Sequence, residues 1–173
     1  MSAPGQVGEA GEPRRARFVP REALAELLAR ERAQLGRVVL ANGCFDLVHV
    51  GHLRYLEAAR ARGGALVVAL NTDESVRAAK GPARPLVPLA ERAELLCALR
   101  CVDFVTAFPE ATLEATLRLL RPDVHAKGTD YTLESVPERA VDRELGIEIA
   151  ICGDPKAHSS SALVAQLSRG ERA

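Results

Sequence analysis

Short apolar runs of strand length recur through this chain, and each is separated from the next by a segment with helical spacing. The runs are Val38-Val39-Leu40-Ala41, Ala65 to Leu70, Val102 to Thr106, Asp123 to Lys127 and Ile147 to Cys152. Helices are predicted over Arg21 to Leu35, Gly51 to Arg62, Asp73 to Ala79, Leu89 to Leu99, Pro109 to Leu120, Pro137 to Leu145 and Ser159 to Leu167. Strands alternating with helices predict an α/β fold, a single doubly wound domain on a five-stranded parallel sheet with flanking helices. In such sheets ligands bind beyond the carboxyl ends of the strands, where the strand order reverses. That rule selects Asn42 to His52, Asn71 to Asp73, Lys127 to Tyr131 and Gly153 to Ser161 as candidate site segments.

Residues 1–17 lack periodicity and are rich in Gly, Ala, Pro, Glu and Arg, so a disordered tail is expected there. A helical extension is expected over residues 18–36, with Leu24, Leu27, Leu28 and Leu35 on one face and Gly36 ending it. The domain proper is expected over 37–168, with a short tail at 169–173.

The formal net charge is zero, which argues against a nucleic-acid or anionic-membrane partner and leaves any phosphate binding to a few local charges. No apolar run reaches membrane-spanning length, and the N-terminus has no stretch of signal type, so a cytoplasmic location is the default expectation. Cys44, Cys97, Cys101 and Cys152 are scattered and read as reduced thiols rather than a zinc site. Only three lysines occur, Lys80, Lys127 and Lys156, among many arginines. A compact ammonium can approach a phosphate where a guanidinium fork does not fit, which makes Lys80 and Lys127 candidates. For Lys156, chance is an equal account.

The first strand runs into Asn42-Gly43-Cys44-Phe45-Asp46-Leu47-Val48-His49-Val50-Gly51-His52. Neither a dinucleotide-type glycine fingerprint nor a P-loop is present. Two histidines instead flank a glycine at a helix start. Gly51 is expected to let a ligand approach the backbone, and free N–H groups with the helix dipole favour an anion there. The two imidazoles can donate to phosphate oxygens. Zinc is the rival account of the pair, with no third ligand evident.

With these motifs in view, the chain resembles the cytidylyltransferase-like nucleotidyltransferase superfamily. Within it, the chain is most similar to the adenylyltransferases of D-glycero-β-D-manno-heptose 1-phosphate. The resemblance covers Val38 to Leu167 and includes Asn42 to Asp46, His49 to His52, Asn71-Thr72-Asp73, Lys80-Gly81 with Arg84-Pro85, Glu91-Arg92, Pro122-Asp123, Lys127 to Tyr131 and Ser159-Ser160-Ser161. It implies a Rossmann-like domain that converts ATP and a sugar 1-phosphate into an ADP-sugar and pyrophosphate with Mg²⁺, held mainly through the ATP phosphates. A sugar phosphate oxygen is already a nucleophile, so the protein must align an in-line attack and stabilise charge.

The resemblance assigns catalysis to His49, His52 and Lys80. It assigns nucleotide binding to Asn42, Gly43, Cys44, Phe45, Gly51, Arg92, Lys127, Gly128, Asp130, Ser159, Ser160 and Ser161. Asp46, Asn71, Asp73 and Tyr131 fall to the acceptor. A surface-helix arginine is an equal account of Arg92, and Asp46 could instead cap the helix turn. No metal-ligating residue is assigned. His125 reads as structural, and His158 could go either way.

The sequence departs from the family at Thr129, where a second glycine is usual, in its serines where threonines are usual, and in Gly153 to His158. This sequence shows no counterpart of the sugar kinase domain of the familiar bifunctional form, so a separately encoded kinase is expected as a pathway neighbour; a homodimer is compatible with the sequence. Two alternatives stay open: a CTP-dependent enzyme acting on a polyol phosphate such as glycerol 3-phosphate, and a non-catalytic nucleotide sensor.

Overall fold

A computed structural model describes residues 16–154. In chain order the elements are β1 (Arg17–Phe18), α1 (Arg21–Leu35), β2 (Val38–Gly43), α2 (Val50–Arg60), β3 (Ala65–Asn71), α3 (Asp73–Lys80), α4 (Leu89–Cys97), β4 (Phe104–Phe108), α5 (Glu114–Leu120), β5 (Val124–Gly128), α6 (Arg139–Leu145) and β6 (Glu148–Cys152). All strand pairs are parallel, in the order β1-β4-β3-β2-β5-β6. The predicted α/β sheet is therefore present with one strand more than the five expected. The extra strand is the two-residue edge β1, and its Arg17 falls inside the segment read as tail. Two residues are too few to show any strand periodicity.

The strands are apolar throughout because helices cover both faces of the sheet. Side chains alternate between the faces along each strand. Val38 and Leu40 of β2, with Val67 and Ala69 of β3, pack with Leu24 and Leu28 of α1 and Leu117 of α5. Val39 and Ala41, with Leu66, Val68 and Leu70, pack on the opposite side with Leu56 and Ala59 of α2 and Leu96 of α4. After α2 the chain turns back tightly. A Cβ on Gly64 would lie 2.1 Å from the Leu35 carbonyl oxygen, so only glycine fits where the turn crosses the 35–37 backbone.

The chain grows outward from β2 to β3 and β4, then returns to add β5 and β6 on the other side of β2. The strand order reverses between β2 and β5, and a crevice opens beyond their carboxyl ends. Two predicted helices begin later than expected. The Pro109–Leu120 helix is helical only from Glu114, because the preceding residues are drawn into side-chain contacts instead: Glu110 to Arg21, and the Leu113 N–H to Glu138. The helix predicted from Pro137 starts at Arg139. Among the described residues no helix is long and apolar enough to cross a membrane. The predicted last helix, with Ser159, Ser160 and Ser161, lies outside the described residues.

Candidate active site

A cleft of about 620 Å³ lies at the reversal point. It gathers most of the predicted residues: Asn42 to Asp46, His49 to His52, Asn71, Lys80 and Lys127 to Tyr131.

The two histidines are fixed by each other's helix turn. His49 is the N-cap of α2, with extended backbone, and its Nδ1 accepts the Gly51 N–H at 3.1 Å. In return His52 Nδ1 accepts the His49 N–H at 3.3 Å. This is a reciprocal capping box built from imidazoles. The ring centroids are 4.0 Å apart, and His52 lies 5.0 Å from the Phe45 ring. Because each Nδ1 accepts a hydrogen bond, a neutral ring must carry its own hydrogen on Nε2. The cap thus selects the tautomer in which both Nε2 atoms are donors.

This geometry corrects the expectation for Gly51. Its N–H is already bonded to His49, and the His52 N–H goes to the His49 carbonyl at 2.9 Å. A Cβ at Gly51 would sit 2.9 Å from His49 Cε1 and 3.0 Å from its Nδ1. Glycine leaves room for the imidazole in this seat, and a larger residue would make the ring shift. These two backbone N–H groups are thus engaged within the cap rather than presented to an anion. Phe45, just upstream, is buried at φ 48°, a left-handed conformation that non-glycine residues seldom adopt.

Asp46, expected on the acceptor side, borders the cleft but is only 3% exposed, and its carboxylate is already occupied. It accepts from the Leu86 N–H at 2.7 Å, the Val87 N–H at 3.0 Å and the Arg84 guanidinium at 2.5 Å. Burial alone would push its carboxyl up. The Val87 N–H, Arg84 and the Leu86 N–H outweigh burial and hold it below the usual carboxylate range. Its work is to clasp the 84–87 segment against the β2–α2 loop.

Arg92, expected at the nucleotide, is completely buried behind the cleft. It donates to the carbonyls of Val87, Cys44 and Asn71 and, at 2.6 Å, to Asp73 Oδ1. Asp73, expected at the acceptor, is thereby the counter-ion of Arg92 and is not part of the cleft wall. Arg92 and Asp73 tie the ends of β2 and β3 to the start of α4. Asn71 does line the cleft, with its amide held by Ser75 Oγ at 3.1 Å and its oxygen facing Cys44 Sγ at 3.7 Å.

The two lysines differ. Lys80 is the last residue of α3 rather than a loop residue, is exposed on the cleft, and makes no ion pair among the described residues. Lys127 is 4% exposed; its Nζ donates to Asn42 Oδ1 and Glu138 Oε2, each at 3.2 Å, and lies 4.7 Å from the Tyr131 ring centroid. Lys127 is therefore paired with a carboxylate and does not present the bare ammonium expected for a phosphate. Gly128 ends β5, and Asp130 and Tyr131 lie in the exposed turn that follows, closed by the Tyr131 N–H to the Gly128 carbonyl at 3.1 Å.

Among the cleft residues that the sequence reading passed over are Tyr55 and Glu138. Tyr55 lies three residues after His52 on the same helix face, and its hydroxyl donates to the Ala126 carbonyl at 2.8 Å, joining α2 to β5. Helical spacing from His52 could have found it. Glu138 reads in sequence as an ordinary acidic residue at a helix start, and nothing local marks it. His125, read as structural, is fully buried and paired through Nδ1 with Asp142 at 3.0 Å.

Residues 40–164 match the family model for cytidylyltransferase-like proteins. The chain is similar to the bifunctional protein HldE of Streptomyces coelicolor, 48% identical over 84% of this chain and 32% of that protein. It is also similar to the bifunctional protein HldE of Citrifermentans bemidjiense, 40% identical over 94% of this chain and 33% of that protein. The chain spans about a third of the length of these curated relatives. The crystal structure of a lipopolysaccharide core biosynthesis protein from Thermoplasma volcanium superposes with a TM-score of 0.61. It is 27% identical and covers 70% of this chain and 99% of that one. Together with the histidine-capped cleft at the sheet reversal, these likenesses show that the chain belongs to the cytidylyltransferase-like family of nucleotidyltransferases.

Proposed function

We propose that the chain is an adenylyltransferase that joins AMP from ATP to a sugar 1-phosphate, D-glycero-β-D-manno-heptose 1-phosphate, releasing pyrophosphate. An oxygen of the sugar phosphate attacks the α-phosphorus of ATP, and the bond from that phosphorus to the β-phosphate bridging oxygen breaks. The single observation that carries the reading is the reciprocal cap of His49 and His52, which sets two Nε2–H donors at the switch-point cleft. Donors fixed in advance stabilise charge growing on the α-phosphate without reorganising during the reaction. Lys80, exposed and without an ion pair among the described residues, is suited to the departing pyrophosphate.

Mg²⁺, when bound, supplies further charge neutralisation. Mg²⁺ is expected to be carried mainly by the phosphate oxygens of ATP and by water; among the described residues no group of three His, Cys, Asp or Glu side chains is placed to hold a metal ion. The acceptor reading is supported by the Lys80-Gly81…Arg84-Pro85 and Lys127-Gly128…Asp130-Tyr131 motifs and by the structural likeness to a lipopolysaccharide core biosynthesis protein.

Pyrophosphate release from ATP or CTP against a panel of sugar and polyol phosphates tests the proposal. Turnover with ATP and the heptose 1-phosphate is the expected result. Turnover with CTP alone overturns the adenylyl reading, and nucleotide binding without turnover on any acceptor supports a sensor instead.

A further inference from the structure

The carboxylate of Glu138 is unusual in its place. Glu138 is the N-cap residue of α6, yet its side chain makes no capping bond to its own helix. It is 4% exposed and turns into the cleft wall. Oε1 accepts the Leu113 N–H at 3.2 Å, and Oε2 accepts from Lys127 Nζ at 3.2 Å. Lys127 continues the chain of bonds to Asn42 Oδ1. Four cleft segments are thus joined through one carboxylate: the end of β2, the end of β5, the turn before α5 and the start of α6.

Electrostatics separates this part of the cleft from the rest. The carboxylate and ammonium neutralise one another, while Lys80 brings a positive charge with no ion-pair partner among the described residues. A neutral pair has little net attraction for a phosphate, whereas a buried ammonium held in place is a directed hydrogen-bond donor. Two of its three hydrogens are engaged by Asn42 and Glu138, and the ammonium lies beside the Tyr131 ring.

We infer that Glu138 makes Lys127 a charge-neutral hydrogen-bonding pair that orients an uncharged part of a substrate, either a nucleobase edge or a sugar hydroxyl. Glu138 is then a positioning residue acting through Lys127. This inference rests on the transferase reading above.

The test is steady-state kinetics with ATP and the sugar 1-phosphate varied in turn, alongside thermal unfolding, for Glu138→Gln, Glu138→Asp, Lys127→Met and the double variant Glu138→Gln/Lys127→Met. Glu138→Gln is expected to raise KM at least about 10-fold for one substrate, with kcat changed much less. The substrate affected tells base from sugar: ATP for a base edge, the sugar phosphate for a hydroxyl. The double variant, which removes both charges together, is expected to be no worse than Lys127→Met, because the two residues act as one. Glu138→Asp keeps the charge and is expected to stay folded while KM rises by a smaller factor.

Folded Glu138→Gln with both KM values within twofold of wild type would overturn the inference. So would losses in the two single variants that multiply in the double, which would mean that Glu138 acts through Leu113 alone. Wild-type protein inert with every acceptor sinks the transferase reading. The inference is then decided by titration calorimetry with ATP and, separately, the sugar 1-phosphate. Binding of either weakened at least about 10-fold in Glu138→Gln supports it, and unchanged binding of both overturns it.

Discussion

Gly51 and the two imidazoles act as one unit, and substitution separates their roles. Gly51→Ala places a methyl group 2.9 Å from His49 Cε1, so the ring has to turn away from its bond to the Gly51 N–H. Alanine is favoured over glycine in a helix by up to about 1 kcal/mol. Turnover is therefore expected to fall without a drop in melting temperature, as kcat and thermal unfolding on one preparation would show. His52→Ala removes one of the two donors proposed to meet developing charge and should lower turnover by roughly 10²–10³; a folded variant with near-normal turnover would refute that role. The histidine pair was legible in sequence because its spacing is local. The employment of Asp46 and Arg92 was not, because their partners lie far along the chain: Arg84 is 38 residues from Asp46, and Cys44 is 48 from Arg92. A charged residue in a site-forming segment looks the same in sequence whether it meets a ligand or the protein's own backbone.

Among the elements, the β2–α2 loop is held by the Asp46 clasp on one side and the Arg92 hub on the other. Asp46 and Glu138 both titrate below their ordinary values in the folded chain, despite burial that pushes each up. For Glu138 the opposing groups are chiefly the Lys127 ammonium and the Leu113 N–H. Depressed carboxyls contribute stability that is complete above the unfolded carboxylate range, about pH 4, and that is lost as pH falls through the lower folded values. Unfolding free energy should therefore rise with pH across the acid limb. Asp46→Asn should lower stability near neutral pH and flatten that limb, measured as urea midpoints from about pH 3 to 7. Helix and strand identities were readable from apolar periodicity. The late start of α5 was not, because Arg21 and Glu138 draw on its first residues from distant positions.

At the scale of the whole molecule, α1 belongs to the same core as the sheet. Leu24, Leu27, Leu28 and Leu35 are buried against β2, β3 and α5 residues. Leu28→Ala is expected to destabilise the chain by about 2–5 kcal/mol, the range for a buried leucine truncated in a well-packed core. A urea midpoint unchanged from wild type would show that α1 is dispensable to the fold. Alternating strands and helices announced a parallel sheet. The order β1-β4-β3-β2-β5-β6 is set by which faces pack together, which no local pattern encodes. That order puts Asn42 beside Lys127 and so brings the ends of β2 and β5 into one cleft.

The reciprocal imidazole cap also bears on the entropy of ligand binding. Immobilising a side chain when a ligand arrives costs about 0.5–1.5 kcal/mol. For His49 and His52 that ordering has already occurred when α2 forms, because each ring's orientation is part of the helix start. Under the proposed function Lys80, exposed at the end of α3, loses its rotamer freedom only when phosphate is present. On that reading the cleft pairs a rigid half, ready before encounter, with a cation whose ordering is left to the ligand.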